Sequence, residues 1–184
     1  MAGAARYSLV YGAIAGAIVV SAIVATIVFD LPSHSHSELV GYLIMLAALS
    51  LIFVGVKRFR DVECGGVVSF GRSFAVGLGI STVAAIIYVI GWEAYLATSN
   101  STSMADYMAS YSAQILTELR ASGASESVVS AKAAEMREMT EMYANPFFRA
   151  PMTFLEIFPV GLFVSLVSAL ILRNPRMLPK YAAK

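Results

Sequence analysis

From Tyr7 to Phe29 the chain runs for twenty-three residues without a single charge. As a helix rising about 1.5 Å per residue, such a run is about 35 Å long. That is enough to cross the roughly 30 Å hydrocarbon core of a bilayer. Three further stretches are comparably apolar: 39–56, 74–92 and 152–172. Lipid offers no partner for a bare N–H or C=O, so a segment that crosses it must close its own hydrogen bonds as a helix or join a barrel. Twenty-residue apolar runs choose the helix. The predicted fold is therefore all-α, a four-transmembrane-helix bundle. Composition agrees: hydrophobic residues make up 58% and charged residues 14%, against about 25% charged in a soluble domain. Ala22 and Ala25 are small, as near a signal-peptide cleavage site, but the apolar core of a cleaved signal is only about 7–15 residues. The first run is read as a retained span.

The basic residues orient the spans. Arg6 precedes span one, Lys57, Arg58, Arg60 and Arg72 lie between spans two and three, and Arg173, Arg176, Lys180 and Lys184 follow span four. The connection 30–38 has none, and the long connection 93–151 has only Arg120, Lys132, Arg137 and Arg149 against seven acids. By the positive-inside rule both termini are expected to be cytoplasmic and residues 93–151 extracytoplasmic.

That long connection has a pattern of its own. Tyr107, Met108, Tyr111, Ile115 and Leu119 recur at three- and four-residue spacing, which predicts an amphipathic helix. Ser103 and Asp106 fit a capping box at its start. "ASGAS" at 121–125 breaks it, and a second helix is predicted from about Glu126 to Tyr143, with Val129, Met136, Met139 and Tyr143 on one face. Asn145-Pro146 ends it. The expected organisation is one membrane domain over 1–184 with a helical hairpin inserted at 103–145.

Few residues carry chemistry. Glu156 stands three residues before Pro159 near the start of span four, and Glu93 follows Trp92 at the end of span three. An acid inside a span is expected to face protein or a wet crevice, and Pro159 deprives the Leu155 carbonyl of its helical partner. Together Glu156, Glu93 and Pro159 form a candidate proton, cation or ligand site. The bland alternative is local hydrogen bonding near the interface. His34, His36 and Glu38 alternate in "SHSHSE" and make a weak metal candidate, for which a solvated turn is the competing reading. Gly161, Ser165, Ser168 and Ala169 form a small-residue arc on span four, as Gly12 and Gly16 do on span one; both are suited to close helix packing. Leu155, Leu162, Leu166 and Leu170 form an arc expected to face lipid. Tyr42, Trp92, Tyr95, Tyr143, Phe147 and Phe148 fit an aromatic belt. Five hairpin methionines, Met104, Met108, Met136, Met139 and Met142, are read as ordinary packing, and "NST" at Asn100 is a short match to a glycosylation signal. "CGGVVSFG" at 64–71 lacks the Lys-Ser/Thr of a phosphate loop and reads as a turn. The single cysteine, Cys64, excludes an internal disulfide or a thiolate cluster. No nucleophile–base set and no nucleic-acid signature is present, and no cofactor is expected.

Three stretches, "GGVVSFGRSFAVGL", "YVIGWEAY" and "NPFFRAPMTFLEIFPVGLFVSLVSALILR", resemble the hallmark segments of the family catalogued as domain of unknown function 4199. The resemblance covers the chain from the first span through Arg173. It implies a small bacterial inner-membrane protein and carries no activity. The expected role is non-enzymatic: a module in the lipid bilayer that binds a protein partner or self-associates through the hairpin and the small-residue faces. The rival is a small transporter or proton-linked carrier using Glu156 and Glu93.

Overall fold

The computed structural model describes residues 2–28, 37–98 and 101–179, except for the side chains of 2, 37–40 and 101–107. Seven helices account for nearly all of them: α1 (Ala2–Val28), α2 (Ser37–Leu49), α3 (Leu51–Glu63), α4 (Phe70–Thr98), α5 (Ser101–Ala121), α6 (Glu126–Tyr143) and α7 (Pro146–Leu172). No strand occurs among the described residues. Four segments are long and apolar enough to cross a membrane: Gly3–Val28, Gly41–Glu63, Phe70–Thr98 and Pro146–Leu172. Each begins or ends beyond the apolar run that predicts it, because helical hydrogen bonding does not stop where charged residues begin.

The second span is built from two helices. Ser50, between α2 and α3, keeps helical angles (φ −58°, ψ −21°), while its hydroxyl donates to the Ala47 carbonyl at 2.6 Å. Such back-bonding competes with the main-chain ladder and tightens the turn locally.

The chain divides into two compact units, Met1–Gly91 with Thr153–Lys184, and Trp92–Met152. In the first unit the helix directions follow from where glycines meet their neighbours. A Cβ on Gly3 would lie 3.1 Å from Glu63 Oε2, and one on Gly55 would lie 2.9 Å from Tyr11 Cγ, so α1 and α3 run antiparallel. One on Gly12 would lie 2.7 Å from the Ile80 carbonyl, and one on Gly16 2.5 Å from the Ala84 carbonyl, so α1 and α4 run parallel. Gly77 faces Ser165 while Gly161 faces Ser81, so α4 and α7 run antiparallel. These directions are what a chain crossing a slab four times requires. They also gather Arg6, Lys57, Arg58, Arg60, Arg72 and Arg173 at one end of the unit.

Small residues set the spacing. Lipid tails are as apolar as leucine, so helices in a bilayer gain by close approach and by hydrogen bonds rather than by leaving water. Between α4 and α7 the device is reciprocal: each helix places a glycine opposite the other's serine. The two hydroxyls lie 2.9 Å apart, and each is also within reach of its own helix, Ser165 of the Gly161 carbonyl at 2.7 Å and Ser81 of the Gly77 carbonyl at 3.0 Å; with one proton each, they make two of these three bonds at a time. Gly161, Ser165, Ser168 and Ala169 are buried, while Leu155, Leu162, Leu166 and Leu170 are exposed on the unit's outer face. The small-residue faces are therefore consumed inside the chain: Gly12 and Gly16 pack on α4. Their close neighbours at these positions are helices of the same chain.

At the basic end Arg60 is fully buried. Its guanidinium donates to the carbonyls of Met177 at 3.0 Å and Leu178 at 2.5 Å and, through Nε, to Asp61 at 2.8 Å. Lys57 reaches the other Asp61 oxygen at 2.6 Å. A buried charge survives only when paired and hydrogen-bonded, and here the C-terminal segment accepts two of the three bonds that Arg60 donates.

In the second unit α5 and α6 pack against each other as a hairpin. Gly123 (φ +80°) turns the corner with the two bonds of a Schellman motif: Ala124 N–H to the Leu119 carbonyl at 3.1 Å and Gly123 N–H to the Arg120 carbonyl at 3.0 Å. Val129 and Met136 are buried, and Met139 and Met142 are exposed. α5 begins at Ser101; the side chains of Ser103, Met104 and Asp106 lie outside the described residues, as does Asn100. Pro146 both ends the α6 pattern and opens α7. As its first residue Pro146 has no N–H that a helix would use, and Asn145 Oδ1 accepts from the Phe147 N–H at 3.0 Å as the cap.

Candidate functional site

The two candidate carboxylates have separate surroundings. Glu156 lies on α7 between buried Thr153 and Ile157 and is itself exposed on the outer face of the first unit. Its carboxylate leans toward Tyr88 of α4, whose hydroxyl donates to Oε2 at 3.3 Å from a side chain that is 3% exposed. A buried tyrosine with its hydroxyl at the edge thus anchors an acid standing at the rim. Pro159 is exposed on the same helix, which continues through it without a break.

Glu93 belongs to the second unit and is held in a fork. Arg149 Nε reaches Oε1 at 2.7 Å and Nη2 reaches Oε2 at 2.5 Å. The remaining nitrogen, Nη1, donates to the Tyr143 carbonyl at 3.0 Å, and the guanidinium lies 5.8 Å from the centre of the Tyr143 ring. The Tyr143 hydroxyl in turn accepts from Trp92 Nε1 at 3.2 Å. The bidentate pairing matches the planar fork to the carboxylate and is the strong form of this interaction. All three guanidinium nitrogens are engaged, so Glu93 is a neutralised clamp closing the base of the hairpin. Two of the expected belt aromatics, Trp92 and Tyr143, thus serve as clamp parts.

Tyr88 and Arg149 are the residues that sequence reading passes over. Arg149 sits just before the apolar part of α7 and Glu93 just after that of α4, so equal placement at the ends of two spans is the signal that would have paired them. Tyr88 carries no such signal, since a tyrosine amid "AAIIYVIGW" is indistinguishable from packing. His34 and His36 lie outside the described residues. Glu38 is helical in α2, so the extended alternation that would align it with the histidines does not hold through it.

In the hairpin α5 and α6 leave an open groove of about 520 Å³ lined by Ile115, Leu119, Ser127, Val128, Ala131, Lys132 and Glu135. Lys132 and Glu135 pair across its edge at 2.8 Å, and Val128 is half exposed.

A family model described as "Protein of unknown function (DUF4199)" matches residues 10–174. The chain belongs to this family. The matched region holds Tyr88, Glu93, Arg149, Glu156 and the glycine–serine pairs, and it stops short of Met177 and Leu178, the residues that Arg60 holds. No curated protein and no solved structure matches the chain.

Proposed function

We propose that this protein is a non-enzymatic module of a bacterial inner membrane, with both termini cytoplasmic and residues 93–151 extracytoplasmic, that engages a protein partner through its helical hairpin. The α5–α6 groove carries the proposal. It is a shallow, open groove with apolar walls from both helices and a paired polar rim. That is the anatomy of a surface built to receive an apolar side of another protein. The small-residue faces are already used within the chain, and the hairpin offers open apolar surface with polar edges. Sidedness rests on the basic residues gathered at one end of the first unit.

The carrier alternative has less support. It needs two acids open to a proton or cation, and Glu93 is locked by Arg149 while Glu156 is bound to Tyr88.

The test is a photo-crosslinking side chain placed at Val128 in native membranes. It should yield a discrete adduct with another protein, lost when Ile115 and Leu119 are replaced by Glu. Adducts with lipid alone, or an adduct indifferent to those substitutions, would overturn the reading.

A further inference from the structure

At the basic end of the first unit a cavity of about 360 Å³ is lined by Arg6, Tyr7, Val10 and Tyr11 of α1 and by Arg58, Val62 and Glu63 of α3. The cations around it fall into two sets. Lys57 and Arg60 are both committed to Asp61, and Arg72 lies 5.4 Å from the centre of the Phe59 ring. Among the described residues, Arg6 and Arg58 make no ion pair and no hydrogen bond, and both are exposed. Two uncommitted guanidinium groups on neighbouring antiparallel helices thus face one cavity.

The floor is prearranged. Tyr7 and Tyr11 are parallel with ring centres 6.1 Å apart, and the edge contact of Tyr7 with buried Phe59 at 5.6 Å fixes the pair. Val10 and Val62 are exposed beside the arginines, so apolar surface adjoins the charged mouth. Glu63 enters from α3 and rests against Gly3, where any side chain would crowd it. Two positive charges against one negative leave a net charge of one, which suits a singly charged anion better than a dianion.

We infer that this cavity binds the phosphodiester headgroup of a membrane phospholipid, Arg6 and Arg58 holding the phosphate oxygens and Val10 and Val62 flanking the start of an acyl chain. Guanidinium groups match phosphate geometry with paired donors. Basic pockets between spans on the cytoplasmic side are where lipid headgroups are bound. The inference stands apart from the hairpin: its residues lie in the first unit, and it requires only that this end of the helices meet a headgroup layer.

The full-length protein in detergent would be titrated with phosphatidylglycerol, with diacylglycerol of the same chains and with glycerol 3-phosphate, and bound ligand counted by native mass spectrometry. One phosphatidylglycerol should be retained saturably. Replacing both arginines (R6Q with R58Q) should weaken it about 30-fold, from roughly one headgroup-scale electrostatic contact per arginine. R137Q, on α6, should bind as the unaltered protein does, and Glu63→Gln should bind more tightly. Both arginines are exposed, so the melting temperature should not move. Diacylglycerol held as tightly as phosphatidylglycerol, or undiminished binding by the folded double variant, would overturn the site. Glycerol 3-phosphate held as tightly as the lipid would overturn the lipid as its occupant.

Discussion

Gly16→Ala adds one methyl group and should be among the most costly single-methyl changes in the molecule. The new Cβ would lie 2.5 Å from the Ala84 carbonyl oxygen, 3.1 Å from Ala84 Cα and 2.9 Å from Ile87 Cβ. Two of these three atoms belong to the α4 backbone and cannot rotate away. Restoring ordinary contact, which begins near 3.4 Å, means parting α1 from α4 by close to 1 Å. A gap of that size forfeits about a quarter to a half of each dispersion contact along the seam. Overpacking of this kind costs about 1–3 kcal/mol, and a site that cannot relax belongs near the upper figure. Against it, alanine gains about 1 kcal/mol in helix propensity over glycine. The net expectation is a loss of about 2 kcal/mol. Gly41→Ala is the matched control, because nothing lies within 4 Å of its added methyl; it should be neutral or stabilising by up to about 1 kcal/mol. Thermal unfolding of both variants in the same detergent, followed by circular dichroism, compares them directly. At about 2–4 °C per kcal/mol for a chain of this length, their midpoints should differ by roughly 4–12 °C. Equal midpoints would refute the close approach of α1 to α4.

Three further outcomes follow from the polar contacts. Glu156→Gln keeps an acceptor for Tyr88 and should alter stability by less than about 0.5 kcal/mol and still complement a deletion, whereas Glu156→Leu should cost about 1 kcal/mol by removing the acceptor; a folded Gln variant that fails to complement would revive the carrier reading. A double-mutant cycle of Glu93→Gln with Arg149→Met should show coupling of about 1.5–3 kcal/mol, since both ends are mostly shielded and the bonds are charge-assisted; additivity would mean that the fork does not form. Arg60→Met should release the C-terminal segment, speeding tryptic cleavage at Arg176 several-fold, and unchanged cleavage would show that the Met177 and Leu178 carbonyls do not hold the tail.

The spans were legible because lipid imposes a length and a composition, and both are visible in runs such as 7–29. The hairpin was legible because three- and four-residue spacing with a glycine break has few other solutions. The small-residue arc of α7 was visible too, but its partner was not. Gly77, Ser81 and Ala85 repeat the same spacing of four on α4, yet a one-dimensional pattern shows which face is small and not which helix meets it. Ser50 escaped notice because a serine inside an apolar run reads as tolerated polarity, when its hydroxyl redirects a turn. The partner of Glu156 is hidden for a related reason: a tyrosine amid apolar residues gives no sign that its hydroxyl reaches a carboxylate on another helix. Arg149 reads as a loop charge in the sequence, because its polar sequence neighbours conceal its proximity in space to Glu93.

The proposed topology has four membrane crossings, with the basic end and the hairpin on opposite sides. Labelling by a membrane-impermeant maleimide tests this with two positions: native Cys64, in the turn between α3 and α4, and a cysteine replacing Ser122 at the hairpin corner in a Cys64→Ser background. In intact spheroplasts the cysteine at 122 should label and Cys64 should label only after permeabilisation. Labelling of Cys64 in intact spheroplasts, or equal labelling of both positions, would contradict this topology.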